Sequence, residues 1–139
     1  MTLEPDRNSR DYLFGRLLAY AERIEERALR LAGEQRDTHA AKLMQRFADH
    51  PSSTWRQING LLGPSKSRLR SRSPGYLHQL EQHIDQIFTQ FQGDDFTDPQ
   101  KLTAEFLLGY HCQRAVLNPP KPAANPTNAP DSSDNEEMP

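Results

Sequence analysis

Residues 10–30 read RDYLFGRLLAYAERIEERALR, and the spacing of apolar positions in this stretch decides the fold class. Leu13, Leu17, Ala21, Ile24, Ala28 and Leu31 recur at steps of four, four, three, four and three. That is the stripe of an amphipathic helix, almost a heptad, and not the period of two that a strand needs. Ser9 is a favourable N-cap, Asp11 puts a negative charge in the first turn, and Gly33 stands where a helix stops. A helix of about 24 residues has a length of roughly 36 Å.

The same signals recur downstream. Asp37 caps a second helix with Ala40, Leu43, Met44 and Phe47 on its buried face, and His50-Pro51 ends it. Pro51 opens a short third helix, on which Trp55, Ile58, Leu61 and Leu62 face inward and which Gly63-Pro64 stops. A polar basic connector follows, SKSRLRSRSPG. Ser73-Pro74 starts a fourth helix with the stripe Leu77, Leu80, Ile84, Ile87 and Phe91. GDDFTDP is a break, and Asp98-Pro99 starts a fifth helix carrying Phe106, Leu107, Tyr110 and Leu117, with Leu102 ahead of it. No segment alternates long enough to be a strand. The fold class is all-α, a bundle of about five helices. Residues 1–8 are a flexible lead, 9–117 the helical bundle, and 118–139 a Pro-rich acidic tail whose composition predicts disorder.

The chain has 139 residues, enough for one domain that buries roughly two thirds of its unfolded surface. Its single cysteine, Cys112, excludes an internal disulfide and fits a reducing, cytoplasmic setting. No apolar run approaches the roughly 20 residues a membrane span needs, and the N-terminus lacks an apolar secretion signal.

The net charge of −2 conceals its distribution. From Asn118 onward, Lys121 stands against Asp131, Asp134, Glu136 and Glu137, a net of −3, which leaves +1 for residues 1–117. Between Asp49 and Glu81 there is no acid, but there are Arg56, Lys66, Arg68, Arg70 and Arg72. On the first helix, Arg16, Arg23, Arg27 and Arg30 fall on one flank of the stripe. Glu22 and Glu25 fall on the other, and Glu26 points away from it. The four arginines span roughly 21 Å, a length that suits several consecutive phosphates, and guanidinium groups fit phosphate bidentately. Lys66, Arg68, Arg70 and Arg72, at alternate positions of the connector, make a denser basic field that follows a backbone without reading bases. Lys42 and Arg46, one turn apart on the second helix, extend the candidate set. The bland alternative is a solvated face with local ion pairs such as Glu26–Arg30. Tyr12, Phe14, Tyr20, Trp55, Tyr76 and Tyr110 have rings that stack on bases, but Trp55 and Tyr110 lie on core stripes, which favours packing.

Nothing in the sequence favours catalysis. His39, His50, His78, His83 and His111 are scattered, and no carboxylate joins a pair of them at metal-ligand spacing. No nucleophile motif or phosphate-cradling glycine loop is present. We therefore expect no enzyme activity, no metal and no cofactor.

Residues 10–30, residues 36–55 (RDTHAAKLMQRFADHPSSTW) and residues 105–117 (EFLLGYHCQRAVL) together resemble, in order, the C-terminal helical region of the large subunit of type I-C Cascade, the CRISPR surveillance complex. The resemblance covers most of residues 10–117. It does not extend to the long N-terminal part of that subunit, which in the family recognises the motif flanking the DNA target. It also leaves out the basic connector and the acidic tail. In that family the C-terminal region is similar to an independent small subunit made from an internal start, and Met1 with this chain length matches such a product. A fragment of the large subunit is the alternative. The resemblance implies a non-catalytic small subunit of the crRNA-guided complex, present in more than one copy. It would contact the Cascade backbone and large subunits and hold the displaced non-target DNA strand, so stabilising the R-loop. The rivals are a pure scaffold without nucleic-acid contact and a free helical DNA-binding regulator.

Overall fold

A computed structural model describes residues 2–118. Seven helices form among the described residues: α1 (Arg10–Ala32), α2 (His39–Lys42), α3 (Met44–Asp49), α4 (Pro51–Leu61), α5 (Gly63–Arg72), α6 (Pro74–Gln90) and α7 (Ala104–Leu117). No strand occurs among them, as the absence of period-two alternation predicts. The tail expected to be disordered lies outside the described residues, apart from Asn118.

α1 is the hub. Every residue from Tyr12 to Glu22 is buried, so this half of the helix is covered on all sides and not only along its stripe. α7 runs parallel to it: Ser9 meets Glu105, Arg16 meets Gln113, and Arg23 meets Asn118. The two helices touch backbone to backbone. A Cβ on Gly109 would lie 2.9 Å from the carbonyl carbon of Tyr12, and one on Gly15 would lie 2.5 Å from the amide nitrogen of Tyr110. Only glycine permits that approach. α6 runs the other way, with Tyr76 at Arg23 and His83 at Tyr20.

The caps explain the boundaries. Gly33 is left-handed at φ 69°, and the amides of Gly33 and Glu34 bond back to Arg30 and Leu29, closing α1. α2 is capped by Thr38, whose hydroxyl accepts from the Ala41 amide at 3.0 Å, and not by Asp37. Leu43, at φ −102° and ψ 10°, divides the expected second helix into α2 and α3. Gly63-Pro64, expected to stop a helix, begins one. Proline fits the first turn, where no amide donor is needed, and Leu62 stays near-helical, so α5 follows α4 after one residue. Most of the expected polar connector is therefore a helix, held down by Leu69, which is 1% exposed. The last helix starts at Ala104, not at Pro99. The Thr103 hydroxyl caps it, and Asp11 in turn accepts from both the amide and the hydroxyl of Thr103 at 2.6 Å.

All six phenylalanines of the chain join one aromatic cluster. Phe14 on α1 packs on Phe47, Phe91 and Phe96, and Trp55 packs on Phe88. Phe96 comes from the segment between α6 and α7. Arg10 fixes that segment by donating to the carbonyls of Asp95, Asp98 and Gln100. Residues of the N-terminal lead also contact the bundle: Arg7 pairs with Glu105 and lies over the Tyr12 ring, and the Glu4 amide donates to the Tyr12 hydroxyl. Leu31, Leu61 and Leu107, expected in the core, are exposed instead. Leu31 stays open in a depression beside α5, and Leu107 in a groove beside α3.

Candidate nucleic-acid interface

The charges of α1 are sorted by what packs on each flank. The acidic flank faces α2 and α7, and its carboxylates are consumed there. Glu22, 6% exposed, accepts from the Tyr110 hydroxyl and from Arg114, both at 2.5 Å, and from the Thr38 hydroxyl at 3.3 Å. Glu25, 1% exposed, accepts from Arg36 at 2.7 Å and from the His39 amide at 2.7 Å, with His39 Nδ1 at 2.8 Å. Glu26 receives Arg114 at 3.1 Å. Burial pulls the Arg114 pKa down, but the carboxylates of Glu22 and Glu26 outweigh it and raise the value overall. Burial, with the charge and hydrogen bond of Glu22, pushes the Tyr110 phenol far up. Glu22 and Glu25 are buried and paired, which is how charge tolerates a core, and Glu26 is paired and half-buried.

The opposite flank faces α5 and the start of α6, and there the cations stay accessible. Tyr76 sits between two arginines: its hydroxyl accepts from Arg23 Nε at 2.9 Å, and the Arg27 guanidinium lies 4.8 Å from its ring centroid. These contacts stretch both arginines along the surface. α5 packs beside them, with Arg68 donating to the Ala28 carbonyl at 3.4 Å. Arg68 and Arg72, one turn apart, line a shallow depression with Leu31 and Ala32 at the end of α1 and with the exposed Glu34 just beyond it. Arg30, Arg68, Arg70 and Arg72 are exposed. Among the described residues, none of Arg27, Arg30, Arg68, Arg70 and Arg72 pairs with a carboxylate. Arg23 and Arg30 also border an open basin holding Glu22, Glu26 and Glu34, so that rim is mixed in sign.

Five of the expected cations are not brought to this face. Arg70 is exposed, but at about 100° per residue it stands on the far side of α5 from Arg68 and Arg72. Arg16, expected on the exposed flank, is 8% exposed. α7 covers it because that half of α1 is surrounded. Its Nε donates to Gln113 at 2.8 Å, its Nη1 is buried without a hydrogen-bond partner among the described residues, and desolvation lowers its pKa. Lys66 turns towards α6 and pairs with Glu81 at 3.4 Å. Lys42 and Arg46 are exposed, but they ride on α2 and α3, and α2 with its cap Thr38 lies on the acidic flank. Of the rings considered for stacking, Tyr12, Phe14, Tyr20, Trp55 and Tyr110 are buried, and Tyr76 alone is half-buried.

The Arg23–Tyr76–Arg27 contact is invisible to linear spacing, since the tyrosine lies about fifty residues away. The helicity of α5 has a signal: Leu62 and Leu69 are seven apart, and Pro64 repeats the start pattern of Pro51 and Pro74. Among the described residues no cluster of three or more His, Cys, Asp or Glu is arranged to hold a metal. No helix there is long and apolar enough to cross a membrane.

Comparison with known proteins places this arrangement in context. The model of a family described as CRISPR-associated protein (Cas_Csd1) matches residues 1–118. No curated protein matches the chain.

Proposed function

Because the chain belongs to the Cas_Csd1 family of CRISPR-associated proteins, we propose that it is a non-catalytic, cytoplasmic small subunit of a type I-C interference complex that holds the displaced DNA strand by its phosphates. The observation that carries this reading is the accessible face built by Arg23, Arg27 and Arg30 of α1 with Arg68 and Arg72 of α5. Several guanidinium groups on two rigid, adjoining helices suit a flexible polyanion and carry no base-reading geometry.

Energetics make a few contacts sufficient. Exchanging a DNA duplex for an RNA–DNA heteroduplex is nearly balanced. Charge-assisted contacts of about 1 kcal/mol each, four or five of them, shift that balance by several kcal/mol. The dispersal of the histidines supports the non-catalytic part of the proposal. His39 sits on Glu25, His83 on Tyr20, and His50, His78 and His111 are exposed.

The test is charge reversal of Arg27, Arg68 and Arg72 together in the assembled complex. R-loop yield on matched DNA should fall, most at low salt and less as salt screens the phosphate contacts, while the complex still assembles. An unchanged yield removes the strand-binding role.

One observation favours bracing between subunits as a second role. Met44, Ala48, Leu102, Phe106 and Leu107 line an apolar groove between α3 and the start of α7, with Leu107 43% exposed. If bracing is the whole function, the triple reversal leaves R-loop yield intact and substitution of Leu107 by Glu disrupts assembly.

A further inference from the structure

We propose that the acidic end of the chain, carrying Asp131, Asp134, Glu136 and Glu137, docks on the arginine face of α1 and α5 and competes there with nucleic-acid phosphates. The competition rests on the strand-binding reading above; the docking does not.

Three observations lead to it. First, the parallel course of α7 brings the chain out at this face, where the Asn118 side-chain oxygen accepts from Arg23 Nη1. Second, Arg27, Arg30, Arg68 and Arg72 have no carboxylate partner among the described residues, although the chain carries 19 acids against 17 Lys and Arg. The acids of α1 are committed to its other flank. Third, the sequence beyond Asn118 separates its charges in a useful way. Lys121 is the only charge up to Asn128, and all four acids lie at 131–137. The thirteen residues from Asn118 to Asp131 reach at most about 45 Å, more than the roughly 15 Å from Arg23 to the end of α1.

The physical consequence follows from tethering. Carboxylates held by a short segment act at an effective concentration in the millimolar range. Exposed pairs are individually weak, so the contact is weak and salt-sensitive. Such a competitor discourages stray binding to dispersed phosphates. It yields to a strand presented at high local density beside the face. It is therefore a device for specificity, since it penalises the wrong polyanion without abolishing the right one.

The test uses the full chain with a nitroxide label at Ser132→Cys, in a Cys112→Ala background. A second chain also carries Asp131→Asn, Asp134→Asn, Glu136→Gln and Glu137→Gln. At low salt, amide NMR signals of residues 27–30 and 68–72 should broaden in the first chain. They should recover at about 1 M salt, where screening is short-ranged, and in the neutralised chain. Neutralisation should also tighten binding of a DNA oligonucleotide of about 20 bases by roughly fivefold. Absent broadening, or broadening that survives neutralisation, overturns the docking. Equal DNA affinity of the two chains overturns the competition. If neither chain binds the oligonucleotide, the strand-binding reading falls, and the relaxation data alone decide the docking.

Discussion

Gly15 of α1 lies against Gly109 of α7, with the carbonyl carbon of Gly109 only 3.1 Å from where a Cβ on Gly15 would sit. The two parallel helices therefore meet without side chains between them, and the nearby contacts from Ser9–Glu105 to Arg23–Asn118 are set by that approach.

Replacing Gly109 with alanine forces the helices apart, because the new methyl group meets the fixed backbone of Tyr12. A loss of about 2 kcal/mol or more is expected in urea unfolding. Gly60, inside α4 with open space around its missing Cβ, is the control. Its alanine variant should gain about 0.5–1 kcal/mol from helix propensity.

Glu22 is the acceptor for two groups of α7. Glu22→Ala leaves the Tyr110 hydroxyl and part of the Arg114 charge without a partner in a buried place. A loss of about 3 kcal/mol is expected, against a smaller loss for Glu22→Gln, which keeps an acceptor. The Tyr110 phenol is held above its ordinary value of 10.0. Its stabilising contribution is thus complete below that pH and is lost as pH rises further, when only the unfolded chain ionises. Tyr110→Phe should flatten the alkaline decline in thermal midpoint.

Glu105 titrates in the opposite sense. Hydrogen bonds from Ser9 and then Arg7 hold its carboxyl below the ordinary 4.5. Its contribution is present above that value and lost as pH falls through the lowered folded-state value. Glu105→Gln should therefore lower the thermal midpoint at pH 7, and the gap to the parent chain should close in more acidic buffer. A gap of constant size would mean that the carboxylate charge is not the stabilising element.

Arg16 and Arg27 separate burial from strand binding. Arg16→Met removes a desolvated guanidinium with an unpartnered nitrogen, so R-loop yield should be unchanged. Arg27→Glu should leave the thermal midpoint within about 1 kcal/mol equivalent of the parent and reduce R-loop yield. The reverse pattern would move the functional charge to the α1–α7 seam.

Much of the helical order was legible because the apolar period is strong and the start signals are repeated. Gly33, Pro51 and Ser73-Pro74 mark real boundaries. The errors have physical causes. Gly63-Pro64 carries the same chemistry whether a helix ends or begins, and the burial of Leu69 decides between the two. Phe96 sits in a turn-rich stretch, so its place among Phe14, Phe88 and Phe91 depends on contacts no local window contains. Arg16 and Arg27 look alike on a helical wheel. Only the course of α7 makes one a core group and the other a surface group. The helicity of segment 66–72 is hard to read locally, because one buried leucine, Leu69, is a faint amphipathic signal.

The shared direction of α1 and α7 separates where the polypeptide comes in from where it goes out. The strand of chain before Ser9 is anchored at Glu105, and Asn118 is anchored at Arg23, about 20 Å further along the α1 axis. A bulky reporter attached ahead of Thr2 would hang from the pole remote from the guanidinium cluster. One attached close behind Asn118 would crowd it. Placement of a label is thus not a neutral choice for this molecule, and the two attachments should differ in how strongly they obstruct polyanion capture.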